Sequence, residues 1–141
     1  VYFIGTMNDI DKSIDSFDMA LRRRFVWKRM DCDYEVVKEW LYEKNIDNEV
    51  SVQYIDKCKK LNSYISDDLS LGTSYQIGHA YFMNLSLEED SETIKDTMLN
   101  ELWKNKIEPL LHEYLRAEYN DKEIEDKLII AKEKFTLKDT E

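Results

Sequence analysis

The chain has 141 residues, of which 43% are apolar and 35% are charged, and its formal net charge is −10. This length and composition predict one domain, or a domain and a half, with enough apolar residues to form a core. No apolar run approaches the roughly 18 residues that would span a bilayer, which argues against a membrane protein. Cys32 and Cys58 lack metal-ligand spacing, so we expect no metal site and reduced thiols in a cytoplasmic protein.

Charge divides the chain into two parts. Residues 1–30 hold six basic and four acidic side chains, whereas residues 31–141 hold fourteen basic and twenty-six acidic ones. A strongly acidic domain binds DNA poorly, because neutralisation of phosphates by basic side chains supplies most non-specific affinity for DNA. We therefore predict a boundary near residue 30, and DNA contacts only through regions absent from this sequence.

Residues 1–30 have the pattern of an α/β fragment. The apolar run Val1–Ile4 predicts a buried strand that delivers Asn8 to the sheet edge where α/β proteins place their ligands. A short helix follows and closes with three consecutive arginines, Arg22–Arg24, before a second apolar segment, Phe25–Trp27. Three adjacent guanidinium groups repel one another, so we expect an anion to compensate them. This order of elements is typical of a phosphate-handling site.

Beyond Met30, apolar residues recur with helical spacing, which predicts an all-α second part. The first predicted helix follows Asp31 and Asp33 and carries Val36, Val37, Trp40 and Leu41 on one face. The second runs from about Ser51 to Ser66, with Val52, Ile55, Leu61 and Ile65 in its apolar stripe. The later elements are a loop at 67–72, an extended piece at 74–77, a helix from near Ser91, a new helix or kink at Pro109, and a helix over Asp121–Phe135.

The residues that could carry chemistry also have ordinary structural roles. Asn8 is a residue type that caps the turn after a strand, and Asp11 is one that caps a helix. A single arginine would satisfy the C-terminal end of a helix dipole, and three exceed that need. His79 taken alone is more often a packed or solvated histidine than a ligand, and Gly78 predicts a tight backbone approach or a positive φ.

Four ordered runs resemble segments of one family. They are GTMN at residues 5–8, ALRRRF at 20–25, IGHAYF at 77–82 and PLLHEYL at 109–115. Together they look like the C-terminal part of an AAA+ nucleotide-hydrolysing protein, and most like the McrB-type motor subunits of 5-methylcytosine-specific restriction systems. Ala80 stands where that family usually has serine.

The resemblance implies roles for individual residues. Asn8 matches the sensor 1 asparagine that orients the attacking water, and Arg23 and Arg24 match arginine fingers that act on a neighbouring subunit. Arg22 is expected to pair locally, with Asp18 as its candidate partner. Asp11, Gly78 and His79 match the nucleotide-binding site, with His79 near the sensor 2 position. Residues 1–30 then end the α/β core, and residues 31–141 form its helical lid.

The sequence contains neither a GxxxxGK[ST] phosphate loop nor an apolar strand ending in Asp-Glu. We therefore expect a C-terminal piece of a longer protein that neither retains nor hydrolyses a nucleotide by itself. For the full-length protein the resemblance implies GTP or ATP with Mg²⁺, a homo-oligomeric ring, expected to be a hexamer, and an McrC-like endonuclease partner. Two alternatives remain, namely a MoxR-like or dynein-related chaperone motor, and a non-enzymatic interaction domain whose arginines bind an acidic partner.

Overall fold

A computed structural model describes residues 1–7 and 19–136, and within these ranges every regular element is helical. The α-helices there are α1 (Met19–Arg22), α2 (Tyr34–Glu43), α3 (Asn48–Ser63), α4 (His79–Phe82), α5 (Asp96–Leu102), α6 (Glu108–Leu115) and α7 (Asp121–Thr136). A π-helical turn, Tyr64–Asp68, extends α3, and a second one, Trp103–Ile107, joins α5 to α6. The predicted helical character of the second part is confirmed. None of the helices described is long and apolar enough to cross a membrane.

The two strands predicted within residues 1–30 are not formed. Val1–Ile4 and Phe25–Trp27 have no regular secondary structure, and their side chains are exposed, with Ile4 at 95% and Val26 at 99%. A strand is stabilised when its N–H and C=O groups pair with a neighbouring strand. The described part of the chain offers these segments no strand to pair with. The short predicted helix is present as α1, which ends at Arg22.

Aspartate caps fix the beginnings of α2 and α3. The Asp33 carboxylate accepts hydrogen bonds from the backbone N–H groups of Glu35 and Val36, which satisfies two donors in the first turn of α2. Asp47 caps α3 in the same way, so that helix begins at Asn48, three residues before the predicted start. Both predicted helices are therefore confirmed, with α3 shifted towards the N-terminus.

The buried face of α3 differs from the predicted stripe. Ile55, Leu61 and Ile65 are buried as predicted, but Val52 is half exposed. The additional inward-facing side chains on this helix are polar or aromatic as well as apolar, namely Ser51, Tyr54, Cys58 and Asn62. A stripe read from aliphatic residues alone misses these positions.

The predicted helix near Ser91 begins five residues later, at Asp96. The Ser91 hydroxyl donates to the carbonyl of Thr93 and accepts from its N–H, so this segment forms a local turn that competes with helix formation. Further along, Pro109 lies in the first turn of α6, directly after the π-helical turn. In a regular α-helix its ring would clash with the carbonyl of Asn105, and the wider turn accommodates it. The predicted interruption at Pro109 is confirmed.

The core lies between α3 and α7 and is closed by α2, α5 and α6. Phe135 on α7 is fully buried, and its ring lies 6.1 Å from that of Tyr54, 6.2 Å from Phe82 and 6.4 Å from Trp103, measured between centroids. Aromatic pairs at such distances contribute beyond the area that they bury. The four rings therefore join α3, α4, α7 and the α5–α6 junction.

The connection between α3 and α4 contains a 3-10 turn, Thr73–Tyr75, where an extended piece was predicted. Gly72 precedes it with a φ of 88°, a conformation that glycine adopts without a steric penalty. The chain becomes extended only after this turn, at Gln76, and then leads into α4.

Candidate functional site

The arginine cluster lies at the C-terminal end of α1, and all three of its side chains are exposed. The Arg22 guanidinium lies over the Trp27 ring, 5.9 Å from its centroid, and the Trp27 Nε1–H donates to the Arg22 carbonyl at 2.9 Å. A cation over an indole face is attracted by the negative potential of the ring. Arg22 is therefore engaged locally, as predicted, although with Trp27. The predicted partner, Asp18, lies outside the described residues.

Arg23 and Arg24 differ from the other arginines nearby. Arg29 donates to Asp31 at 2.6 Å in an exposed ion pair. The guanidinium groups of Arg23 and Arg24, in contrast, are exposed and have no side-chain hydrogen bond or ion pair to another residue within 1–7 and 19–136. Both guanidinium groups face solvent. They are therefore accessible to an anionic ligand or to a partner surface.

His79 is the first residue of α4 and is partly exposed. Its Nδ1 accepts a hydrogen bond from the backbone N–H of Asp33 at 3.2 Å. Asp33 is the N-cap of α2, the point at which the chain passes from the arginine-bearing segment into the helical domain. His79 therefore lies at the junction between the two parts of the chain.

Gly78 does not have the positive φ that was one of the two predictions for it. Its φ is −72°, which any residue can adopt, and a Cβ added there would meet no atom within 4 Å. The glycine is thus required by neither backbone conformation nor close packing within the described residues. Its place at the N-terminal end of α4 leaves the backbone beside His79 uncovered.

Asn62 is a buried polar residue that sequence reasoning missed. It is 1% exposed, and its carboxamide accepts from the Ile77 N–H at 2.7 Å and donates to the Ile77 carbonyl at 3.0 Å. The same Nδ2 donates to the Tyr34 hydroxyl at 3.0 Å. Asn62 therefore connects α3 both to the start of α2 and to the residues just before His79. The signal in the sequence was its position, next to Leu61 and seven residues after Ile55 on the buried face.

Further hydrogen bonds fix the segment on either side of Ile77. The Gln76 carboxamide donates to the Ser66 hydroxyl at 3.1 Å and to the Asn62 carbonyl at 3.4 Å. At the other end of α4, the buried Tyr54 hydroxyl donates to the Phe82 carbonyl at 2.7 Å. The backbone that carries His79 is thus anchored to α3 before and after the histidine.

The two thiols lie beside this network. Burial raises the pKa of Cys32 to about 11, and Asp33 adds to the shift through its negative charge. Burial also holds the pKa of Cys58 well above its usual range. A thiol whose thiolate is disfavoured in this way is a poor nucleophile and metal ligand. Within the described ranges no group of three or more histidine, cysteine or acidic side chains is arranged to hold a metal ion.

The predicted site residues are only partly brought together. Asn8 and Asp11 lie outside the described residues. Gly78 and His79 are placed at the junction with Asp33, and the arginines lie at the end of α1, with no hydrogen bond or ion pair to His79 in the described part of the chain. A surface cavity of about 370 Å³ between α6 and α7, lined by Trp103, His112 and Ile129 among others, lies apart from these residues.

Comparison with known proteins identifies the helical part. Residues 53–123 match the family model described as the McrB alpha-helical lid domain. The chain is also 36% identical over 118 residues, or 81% of its length, to the type IV methyl-directed restriction enzyme EcoKMcrB subunit of Escherichia coli strain K12. The matched region covers 25% of that relative. No solved structure matches the chain. The family match spans half of the sequence and runs from within α3 to the start of α7, so the chain belongs to the McrB helical lid family.

Proposed function

We propose that this chain is the C-terminal portion of the nucleotide-hydrolysing core of an McrB-type motor subunit, together with its lid. The observation that carries the proposal is the family match over residues 53–123, which includes His79 and the run 109–115. Residues 1–30 then belong to an α/β core whose remaining strands pair with Val1–Ile4 and Phe25–Trp27. The exposure of these apolar segments supports this assignment, because strands of such sheets are normally buried on both faces.

In this proposal Arg23 and Arg24 are the arginine fingers, and Asn8 is the sensor 1 residue that orients the attacking water. The stacking of Arg22 on Trp27 supports this division, because it leaves the next two guanidinium groups facing solvent. A guanidinium stays charged at neutral pH and presents paired donors that match phosphate oxygens. A fixed cation of this kind stabilises the charge that develops on a phosphoryl group during its transfer.

Asp11, Gly78 and His79 contribute to the nucleotide-binding site. Neutral His79 accepts at Nδ1, so its proton is on Nε2, where it can be donated to a nucleotide oxygen. The nucleotide is GTP or ATP with Mg²⁺, and the family resemblance favours GTP. Together the arginine and imidazole donors suit a polyanionic ligand, and the phosphate loop comes from another region of the full-length protein.

The complete protein is proposed to assemble as a homohexameric ring with an McrC-like endonuclease subunit and to act in methyl-directed DNA restriction, as the name of the relative describes. DNA recognition is assigned to regions outside this sequence. The excess of twelve negative charges over residues 31–141 supports that assignment, since it disfavours contact with a phosphate backbone. The lid match supports an McrB-type motor over a MoxR-like or dynein-related one.

A mixing experiment with the full-length protein tests the fingers. An Arg23→Ala, Arg24→Ala double variant is combined with a phosphate-loop variant, each inactive alone, and GTP and ATP hydrolysis are measured across mixing ratios. Mixed rings contain pockets in which an intact phosphate loop faces intact arginines, so we expect partial recovery of activity. An arginine finger typically raises the hydrolysis rate by about 10³–10⁵-fold, so the activity of the mixed rings should be well above that of either variant alone.

Arg29→Ala is the matched control, since it removes an exposed arginine that already pairs with Asp31. It should leave hydrolysis near the wild-type rate, and the 141-residue chain alone should show none. If mixed rings assemble and no activity returns at any ratio, the arginines do not act across a subunit boundary.

A further inference from the structure

We infer that Asn62 is the positioning residue for His79. It holds the imidazole in place against the Asp33 N–H that donates to it. The significance of this for catalysis rests on the proposed function, whereas the positioning itself is a property of the helical domain. In the described structure the Asn62 side chain makes its hydrogen bonds to Ile77 and Tyr34, and none to the imidazole or to Asp33. Its effect is transmitted through Ile77 and Tyr34.

The first step in the argument is the match between the Asn62 side chain and a backbone unit. A carboxamide carries an acceptor and a donor on one plane, as a peptide group does. The Asn62 carboxamide uses both on Ile77, so it holds that residue as a neighbouring strand would. Aspartate lacks the donor, and leucine or alanine lacks both. The identity of the residue therefore matters more than its volume.

The second step concerns where the two partners of Asn62 lie in the chain. Ile77 is two residues before His79, and Tyr34 directly follows Asp33, whose N–H donates to the imidazole. One side chain thus fixes both segments that must meet for the His79–Asp33 hydrogen bond to form. With Asn62 only 1% exposed, bulk water does not compete for these hydrogen bonds in the folded domain.

The third step links this hydrogen bond to what His79 offers a ligand. When Nδ1 accepts from the Asp33 N–H, the neutral ring carries its proton on Nε2. Nε2 is then a donor with a fixed direction, suited to an acceptor oxygen of a bound nucleotide. Loss of the Asn62 contacts frees the ring to rotate and to exchange tautomers, and the donor is no longer held in place.

Amide hydrogen exchange on the 141-residue chain tests the positioning directly. The Asp33 N–H precedes the first turn of α2 and has no intrahelical acceptor, so its protection depends on His79. We expect His79→Ala and Asn62→Ala to raise its exchange rate equally, by about tenfold, the loss of roughly one hydrogen bond. Amides in α7 should keep their protection in a folded variant.

Thr136→Val is the matched control, because it removes another buried side-chain hydrogen bond, to the Lys132 carbonyl, far along the chain from His79. It should leave the Asp33 amide at the wild-type rate. If Asn62→Ala does not fold, Asn62→Leu replaces it, since leucine is close in volume and lacks both the donor and the acceptor for Ile77. Wild-type exchange at Asp33 in the variant that folds overturns the inference.

A double-mutant cycle in the full-length protein then separates positioning from a general structural role. Hydrolysis is measured for Asn62→Ala, His79→Ala and the double variant. If Asn62 acts through His79, the single variants lower kcat by similar factors and the double variant is no worse than His79→Ala. Additive losses contradict the inference. If His79→Ala leaves hydrolysis unchanged, the proposed role of His79 fails, and the exchange result on Asp33 stands by itself.

Discussion

At the scale of single residues, the buried polar groups of this domain are placed where one helix must hold the backbone of another segment. Tyr54 donates to the Phe82 carbonyl, and Asn62 serves both backbone groups of Ile77. No buried side-chain polar atom in the described residues lacks a hydrogen-bond partner. Each of these bonds satisfies a group that would otherwise be left without water, so truncating the side chain costs more than the bond itself contributes.

Tyr54→Phe should lower the free energy of unfolding by about 1–3 kcal/mol, because it leaves the Phe82 carbonyl buried without a donor. Urea denaturation followed by circular dichroism measures the change. Tyr42→Phe is the control, since Tyr42 is 81% exposed on α2 and its hydroxyl is hydrated in both states. Equal midpoints for the two variants and the wild type would show that the Tyr54 hydroxyl contributes nothing.

At the scale of elements, helix starts are set by side-chain caps as much as by apolar faces. Asp47 accepts from the N–H groups of Glu49 and Val50, and the Asp47 N–H donates to the Glu92 carbonyl. The cap therefore also anchors α3 to the segment that precedes α5. Its carboxylate lies at the positive end of the helix dipole, which adds a favourable electrostatic contribution.

Asp47→Ala should lower the free energy of unfolding by about 1 kcal/mol, the usual cost of losing an N-cap carboxylate. The urea midpoint should shift without a change in the slope of the transition. Asp126→Ala removes an exposed carboxylate from the middle of α7 and should change stability by less than about 0.5 kcal/mol. If Asp126→Ala lowered the free energy of unfolding as much as Asp47→Ala, the change in net charge, and not the loss of the cap, would explain the result.

An element can be predicted from the sequence when the residues that determine it are close together in the chain, and less well when they are far apart. Asp33 and the apolar residues of α2 are local signals, so that helix was predicted with its start nearly correct. The strands at Val1–Ile4 and Phe25–Trp27 depend on pairing with other strands, and composition alone does not reveal whether these are present. The role of Asn62 depends on Ile77, fifteen residues away, and on the 3-10 turn at Thr73–Tyr75, where an extended piece was predicted.

At the candidate site, too, the contacts between residues distant in sequence were not predicted. Arg22 is engaged within its own segment, as expected, but its partner, Trp27, lies in a run interpreted as a strand. His79 was singled out by its resemblance to a family motif, and nothing in the sequence near it pointed to Asp33. Contacts between residues distant in sequence are set by the packing of whole helices, and single-sequence patterns do not report them.

At the scale of the whole molecule, several acidic groups have pKa values raised by burial. The pKa of Cys32 rises from 9.0 to about 11, and those of Tyr34 and Tyr114 rise from 10.0 to about 12. In each case burial disfavours the charged form. The folded state thus retains protons that the unfolded chain loses, and stability decreases as pH rises.

The domain should accordingly keep its full stability below about pH 9 and lose it progressively between pH 9 and 12. Urea midpoints at pH 7, 9 and 10.5 measure this decline. Cys32→Ser removes one ionising group and retains a small polar side chain, so the decline above pH 9 should be shallower in this variant. A midpoint that rises between pH 9 and 10.5 would contradict the pKa increases assigned to this partly buried thiol and these partly buried phenols.

The position of Phe135 has a consequence for synthesis of the protein. The ring packs against Tyr54, Phe82 and Trp103, yet it follows all three in the chain. At translation rates of about 5–20 residues per second, Tyr54 leaves the peptidyl transferase centre roughly 4–16 s before Phe135 is added. Until Phe135 is made, Tyr54, Phe82 and Trp103 lack, once each has been added, the aromatic side chain that packs against all three. A ribosome that stalls before Phe135 therefore carries a chain suited to chaperone capture.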